Sequence, residues 1–117
     1  MNIGVISDIH SNFFYLKEVL QDINNKNLDA IYCLGDLVGY YDRPNDVIDL
    51  LRENQIICLK GNHDKYFINE LSFDEDRDVF YRIGKQRQQV SQDNTDYLKN
   101  LPECLDIEIL DKRFFMT

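Results

Sequence analysis

Three short apolar runs, at residues 3–6, 30–34 and 56–59, alternate with two segments whose apolar residues recur at helical spacing, and this alternation constrains the fold more than any other feature. In the first segment Leu16, Val19, Leu20 and Ile23 fall on one helical face, and Asn24, Asn25 and Asn27 close it. In the second, Pro44 opens a helix carrying Val47, Ile48, Leu50 and Leu51. Each apolar run reads as a buried strand, so the order is β-α-β-α-β. Crossovers of this kind are right-handed and leave consecutive strands parallel. The carboxyl ends of all three strands therefore meet on one sheet edge, where open α/β sheets hold their ligands.

The turns that follow the strands carry the chemistry: Ser7-Asp8-Ile9-His10, then Gly35-Asp36, then Gly61-Asn62-His63-Asp64. Both histidines of the chain lie in them. Asp8, Asp36 and Asn62 offer oxygen and His10 offers nitrogen, a mixture suited to manganese, iron or zinc rather than to an all-sulfur or all-oxygen cage. Two metals could share one carboxylate, and Asp36, in the middle segment, could bridge ions about 3.5 to 4 Å apart. Gly35 and Gly61 ease a sharp turn off each strand. The competing reading is capping, in which Asp8 or Ser11 closes the helix that begins near residue 12. Three strand ends that each supply donors weigh against capping alone.

Composition narrows the partners. A formal net charge of −8 on 117 residues, without a cluster of Lys and Arg, argues against broad nucleic-acid binding. The acidic stretch at residues 70–78 reads as a solvated loop, with metal binding the lesser alternative. Three cysteines without C-x-x-C spacing point to reduced thiols, and Cys33 and Cys58 read as small strand hydrophobes. With no basic leader and no apolar run near 18 residues, a cytoplasmic protein with no membrane span is expected. The 117 residues suit a single domain.

Asp8-Ile9-His10, Gly35-Asp36-Leu37-Val38-Gly39 and Gly61-Asn62-His63-Asp64 resemble, in order and spacing, the D-x-H, GD-x-x-G and GNH[DE] motifs of the calcineurin-like metallophosphoesterases. The wording around them, SDIHSN and GDLVGY, is similar to small bacterial and phage members. The resemblance implies a metal-dependent phosphoesterase, hydrolysing a phosphomonoester or phosphodiester by a hydroxide held between two divalent ions. Those ions would be manganese in preference to iron, zinc or nickel. By the same resemblance Asp8 and His10 bind the first metal, Asp36 bridges and Asn62 binds the second. His63 and Asp64 are the candidate catalytic residues, with His63 protonating the leaving oxygen. In one branch of the family an aspartate three residues after the bridging one orients this histidine. Gly39 stands there, and Asp64 or a residue outside the chain is left to do it.

The later histidines of the family's ligand set have no counterpart here. Instead there are polar helical stretches near residues 79–89 and 94–101, then a β-hairpin of residues 105–110 and 113–116 about an Asp111-Lys112 turn. Residues 1–117 are thus expected to form the amino-terminal half of a metallophosphoesterase sandwich, a single partial domain. Apolar strands near Phe114 and Phe115 would be left uncovered, so a complementary carboxyl-terminal segment or self-association is expected. The alternative function is a non-catalytic interaction module on the same fold. No G-x-x-x-x-G-K-[ST] loop and no G-x-G-x-x-G is present, and His10 occupies the place where a D-x-D phosphoaspartyl site needs a second carboxylate.

Overall fold

A computed structural model describes residues 2–109 and 111–117. Strands β1 (Ile3–Ile6), β2 (Ala30–Cys33) and β3 (Ile57–Cys58), joined by helices α1 (Phe13–Asn24) and α2 (Pro44–Glu53), form a parallel sheet in the order β1-β2-β3. The β-α-β-α-β expectation holds. The third strand is shorter than its apolar run because the Ile56 N–H turns back to the Leu51 carbonyl and closes α2. Ladder bonds still continue past the second and third strands, from Leu34 N to Ile6 O at 2.9 Å and from Leu59 N to Cys33 O at 2.8 Å.

Strands added in one direction, each through a right-handed crossover, place both helices on the same side of the sheet. On that side Cys33 and Cys58 pack with Leu16, Leu20, Val47, Ile48 and Leu51 in the core, and Ile6 and Ile31 border it. On the other side the register aligns Val5, Tyr32 and Ile57 across the three strands. Val5 is 55% exposed and Ile57 48%. The expectation of buried strands holds for the helix-covered face; on the other face Tyr32, in the central strand, is buried, while Val5 and Ile57 on the flanking strands are exposed. On α1, Leu16 and Leu20 are buried as expected, whereas Val19 is exposed.

The second half packs α3 (Asn62–Phe67), α4 (Asp78–Tyr81), α5 (Ile83–Gln89) and α6 (Gln92–Lys99) around the same core. The single helical stretch expected over residues 79–89 is two helices, broken at Arg82, whose φ is +60°. Asp78 accepts the Ile83 N–H at 2.7 Å and so starts α5. The acidic stretch is more organised than a solvated loop. Glu70 pairs with buried Lys60 at 3.0 Å, and Asp74 caps a 3-10 turn over Glu75–Arg77. Strands β4 (Leu105–Ile109) and β5 (Lys112–Met116) pair antiparallel as a separate two-stranded sheet. Lys112 pairs with Ile109, which moves the turn one residue earlier than expected; Leu110 lies outside the described residues. Phe114 and Phe115 are exposed.

Candidate active site

Beyond the end of β1 the chain keeps climbing beside β2 through an irregular ladder. Asp8 N bonds Gly35 O at 3.0 Å, His10 N bonds Asp36 O at 2.9 Å and Ser11 N bonds Leu37 O at 2.8 Å. Asp8, His10, Ser11 and Asp36 all have positive φ, between 49° and 62°, a region that residues with a Cβ rarely occupy. Such backbone persists only where its surroundings hold it, and it concentrates at functional sites.

Those surroundings are two buried side chains. Asp64 accepts from Gly61 N and Asp36 N through Oδ2, both at 2.9 Å, and from Leu37 N and Val38 N through Oδ1 at 2.9 and 3.3 Å. It thereby ties the turn after β3 to the turn after β2. Gln86, on α5, accepts from Ser11 Oγ at 3.1 Å and Gly39 N at 2.8 Å, and donates to Tyr41 O at 2.6 Å. It ties the turn after β1 to the turn after β2. Capping is settled separately: the Asn12 side chain accepts from Tyr15 N and caps α1, and Ser11 is spent on Gln86.

Asp8, His10 and Asp36 each present a ligand atom, and these atoms lie within 4.8 Å of one another. The orientation of His10 suits a cation. Its Nδ1 lies 2.9 Å from the Val38 carbonyl, which can only accept, so Nδ1 carries the proton. In the neutral ring Nε2 is then a lone pair, 3.6 Å from Asp8 Oδ1. Two acceptors facing each other without a proton between them leave a place for a positive ion. The Ser7 hydroxyl, donating to Asp8 at 2.7 Å, holds that carboxyl below the ordinary carboxylate range. The donor set fits a divalent metal. Asn62, the fourth expected donor, is exposed at the start of α3 with its amide 3.4 Å from the Tyr66 hydroxyl.

Asp36 Oδ1 also accepts the His63 N–H at 2.9 Å, which fixes the start of α3 against the metal side. Gly61 has an ordinary φ of −85°, so a turn does not require glycine there. Close approach does: a Cβ on Gly61 would run into Asp36 Oδ1 and Asp36 N. His63 is buried, its ring centroid 4.8 Å from that of His10. Among the described residues its Nδ1 has no hydrogen-bond partner, so Asp64 does not orient it through that atom. A Cβ on Gly39, whose φ is +92°, would come within 2.6 Å of the same nitrogen. Burial, then the charge of His10, lowers the His63 pKa. Burial pushes the Asp64 carboxyl up to about 7 against the pull of its N–H donors. Because every group bonded to its oxygens is a donor, the carboxylate is the form its surroundings fit. Gln86 and the rings of Tyr40, Tyr66 and Tyr81 around His63 carry no sequence signal that singles them out.

The sequence matches the calcineurin-like phosphoesterase family over residues 1–116. It is 35% identical over 120 residues to the uncharacterized protein MJ0912 of Methanocaldococcus jannaschii, across 98% of this chain and 48% of that protein. A metallophosphoesterase from Sphaerobacter thermophilus superposes with a TM-score of 0.72 at 35% identity, over 90% of this chain and 43% of that one. The hypothetical protein PH1004 of Pyrococcus horikoshii shares the fold, with a TM-score of 0.80 at 19% identity over 97% of this chain and 52% of its own. This chain spans about half the length of the proteins that it matches. Three donor-bearing turns in family order, on half of the family's fold and with a match that runs nearly end to end, make the chain a member of the calcineurin-like phosphoesterases.

Proposed function

We propose that the chain carries the oxygen-rich side of a phosphoesterase site, acting on phosphomonoesters or phosphodiesters. Asp8, His10, Asp36 and Asn62 would hold two divalent ions, manganese in preference to iron, zinc or nickel. Bound there, such ions supply the Lewis acidity that activates water and offsets phosphate charge. The remaining work falls to the chain. The Nδ1–H of His10 donates to Val38 O, which turns Nε2 toward Asp8 as the nitrogen free to meet an ion. His63 donates a proton to the leaving oxygen. Its lowered pKa keeps it neutral in the empty site, and an arriving phosphate raises it by placing negative charge beside the ring. Asp64 acts through the turns it joins and is a positioning residue.

A complementary carboxyl-terminal segment would supply the missing donors, and the uncovered face of Val5 and Ile57 supports such a partner or a second copy of the chain. That same face favours the second reading, an interaction module without turnover. Three free cysteines support a reducing compartment, the cytoplasm. Among the described residues no helix is long and apolar enough to cross a membrane.

The observation that carries the reading is the convergence of His10 Nε2 and Asp8 Oδ1, 3.6 Å apart, with Asp36 beside them. Calorimetry with Mn²⁺ on the 117-residue chain tests it. Weak binding that an Asp8→Ala, Asp36→Ala double variant abolishes is expected. Binding unchanged in that variant puts the ion elsewhere, and no binding at all favours the interaction module.

A further inference from the structure

We propose that the open cleft lined by Tyr40, Arg77, Phe80 and Tyr81 is the leaving-group subsite of this phosphoesterase, and that it takes the nucleobase of a nucleoside phosphate. The inference rests on the phosphoesterase reading above and adds a substrate class to it.

The cleft shares its walls with the proposed proton donor. Tyr40 lies 5.0 Å from His63 and 4.8 Å from His10, centroid to centroid, and Tyr81 lies 4.7 Å from His63. A group that protonates the leaving oxygen must stand on that oxygen's side of phosphorus. Rings in contact with His63 therefore border the path of whatever the leaving oxygen is attached to. The cleft holds about 530 Å³, within the range of small-molecule sites.

Its walls are braced from behind. Tyr66 stacks on Tyr81 at 6.0 Å with an interplanar angle of 11°, and Phe73 packs on Tyr81 at 5.9 Å. The Tyr40 N–H donates to Tyr81 O at 2.8 Å and staples one wall to the other. Tyr40 itself is held at φ +64°. On the open side Phe80 is 69% exposed and Tyr40 38%. Exposed aromatic rings on a braced support are what sequence-tolerant stacking of a base uses. Arg77 distinguishes a nucleobase from a plain aryl ring. It is exposed at the rim and forms no ion pair among the described residues, although three acidic residues precede it. A guanidinium plane can stack on a base and donate to its edge, whereas a phenyl ring has no edge acceptor to offer it.

Saturation-transfer NMR on the metal-free chain tests this without any turnover, with AMP, ribose 5-phosphate and phenyl phosphate as probes. Saturation should reach the adenine protons, ribose 5-phosphate should fail to displace AMP, and Phe80→Ala should weaken AMP about tenfold. Arg77→Ala, an exposed change that leaves the core intact, should weaken AMP more than phenyl phosphate. Adenine signals that are absent, or that survive both substitutions unchanged, would overturn the subsite. Phenyl phosphate that binds as tightly as AMP would overturn the nucleobase assignment. Adenine contact without Mn²⁺ binding at Asp8 would instead count against the phosphoesterase reading, so the two failures are distinguishable.

Discussion

Asp64 is fully buried with four backbone N–H groups turned toward its two oxygens. Asparagine there would aim an amide N–H₂ at some of those donors and leave them unpaired. Asp64→Asn should destabilise the chain by about 2 to 4 kcal/mol, read as a lower urea midpoint, and should also weaken Mn²⁺ binding. Native stability in that variant would deny Asp64 its positioning role. His63 gives a second prediction. Its pKa is lowered from 6.5, so the folded chain binds that proton more weakly than the unfolded chain does. The contribution of His63 to stability is therefore complete above about pH 6.5 and declines as pH falls from there toward the folded value. The ring protons of the metal-free chain should titrate with a midpoint below 6.5, and a midpoint at or above it would contradict the burial argument. With only two histidines, His63→Gln assigns the signals.

Among the elements, α5 does the most for the site and is the least conspicuous in sequence. Gln86 sits in a run of Lys85, Arg87, Gln88 and Gln89, where nothing marks one amide as buried. Leucine at that position would strand Ser11 Oγ, the Gly39 N–H and the Tyr41 carbonyl. Gln86→Leu should cost about 2 to 4 kcal/mol in urea unfolding and loosen Mn²⁺ as well, whereas exposed Gln88→Leu should do neither. If both variants hold the ion alike, α5 does not brace the turns. The contrast explains what was legible. β1 matches its apolar run because strand patterning is local, and α2 begins at Pro44 because proline at a first helical turn is a local preference. Asp8, His10 and Asp36 stand out because strand ends are where such donors are expected. The bonds of Asp64 and Gln86 join residues far apart in the chain, and the exposure of Val5 depends on which side the helices take. Neither follows from spacing alone.

For the whole molecule, the uncovered face sets solution behaviour. Val5 and Ile57 lie on one side of the sheet, and Phe114 and Phe115 are exposed on the hairpin. Sedimentation of the isolated chain should show concentration-dependent association, and a Val5→Lys, Ile57→Lys double variant should reduce it, since a buried lysine would oppose contact. A monomer at all concentrations would remove the case for a partner on this face. The three turns have a further consequence in time. Every proposed metal donor has been synthesised once Asn62 is made, yet the side chain that braces the first two turns arrives only with Gln86. Residues 63 to 86 are 24 positions, which a ribosome adding about 5 to 20 residues per second delivers in roughly 1 to 5 s. During that interval a nascent chain carries the donors without their brace, so ion capture during synthesis should begin only after residue 86 has emerged.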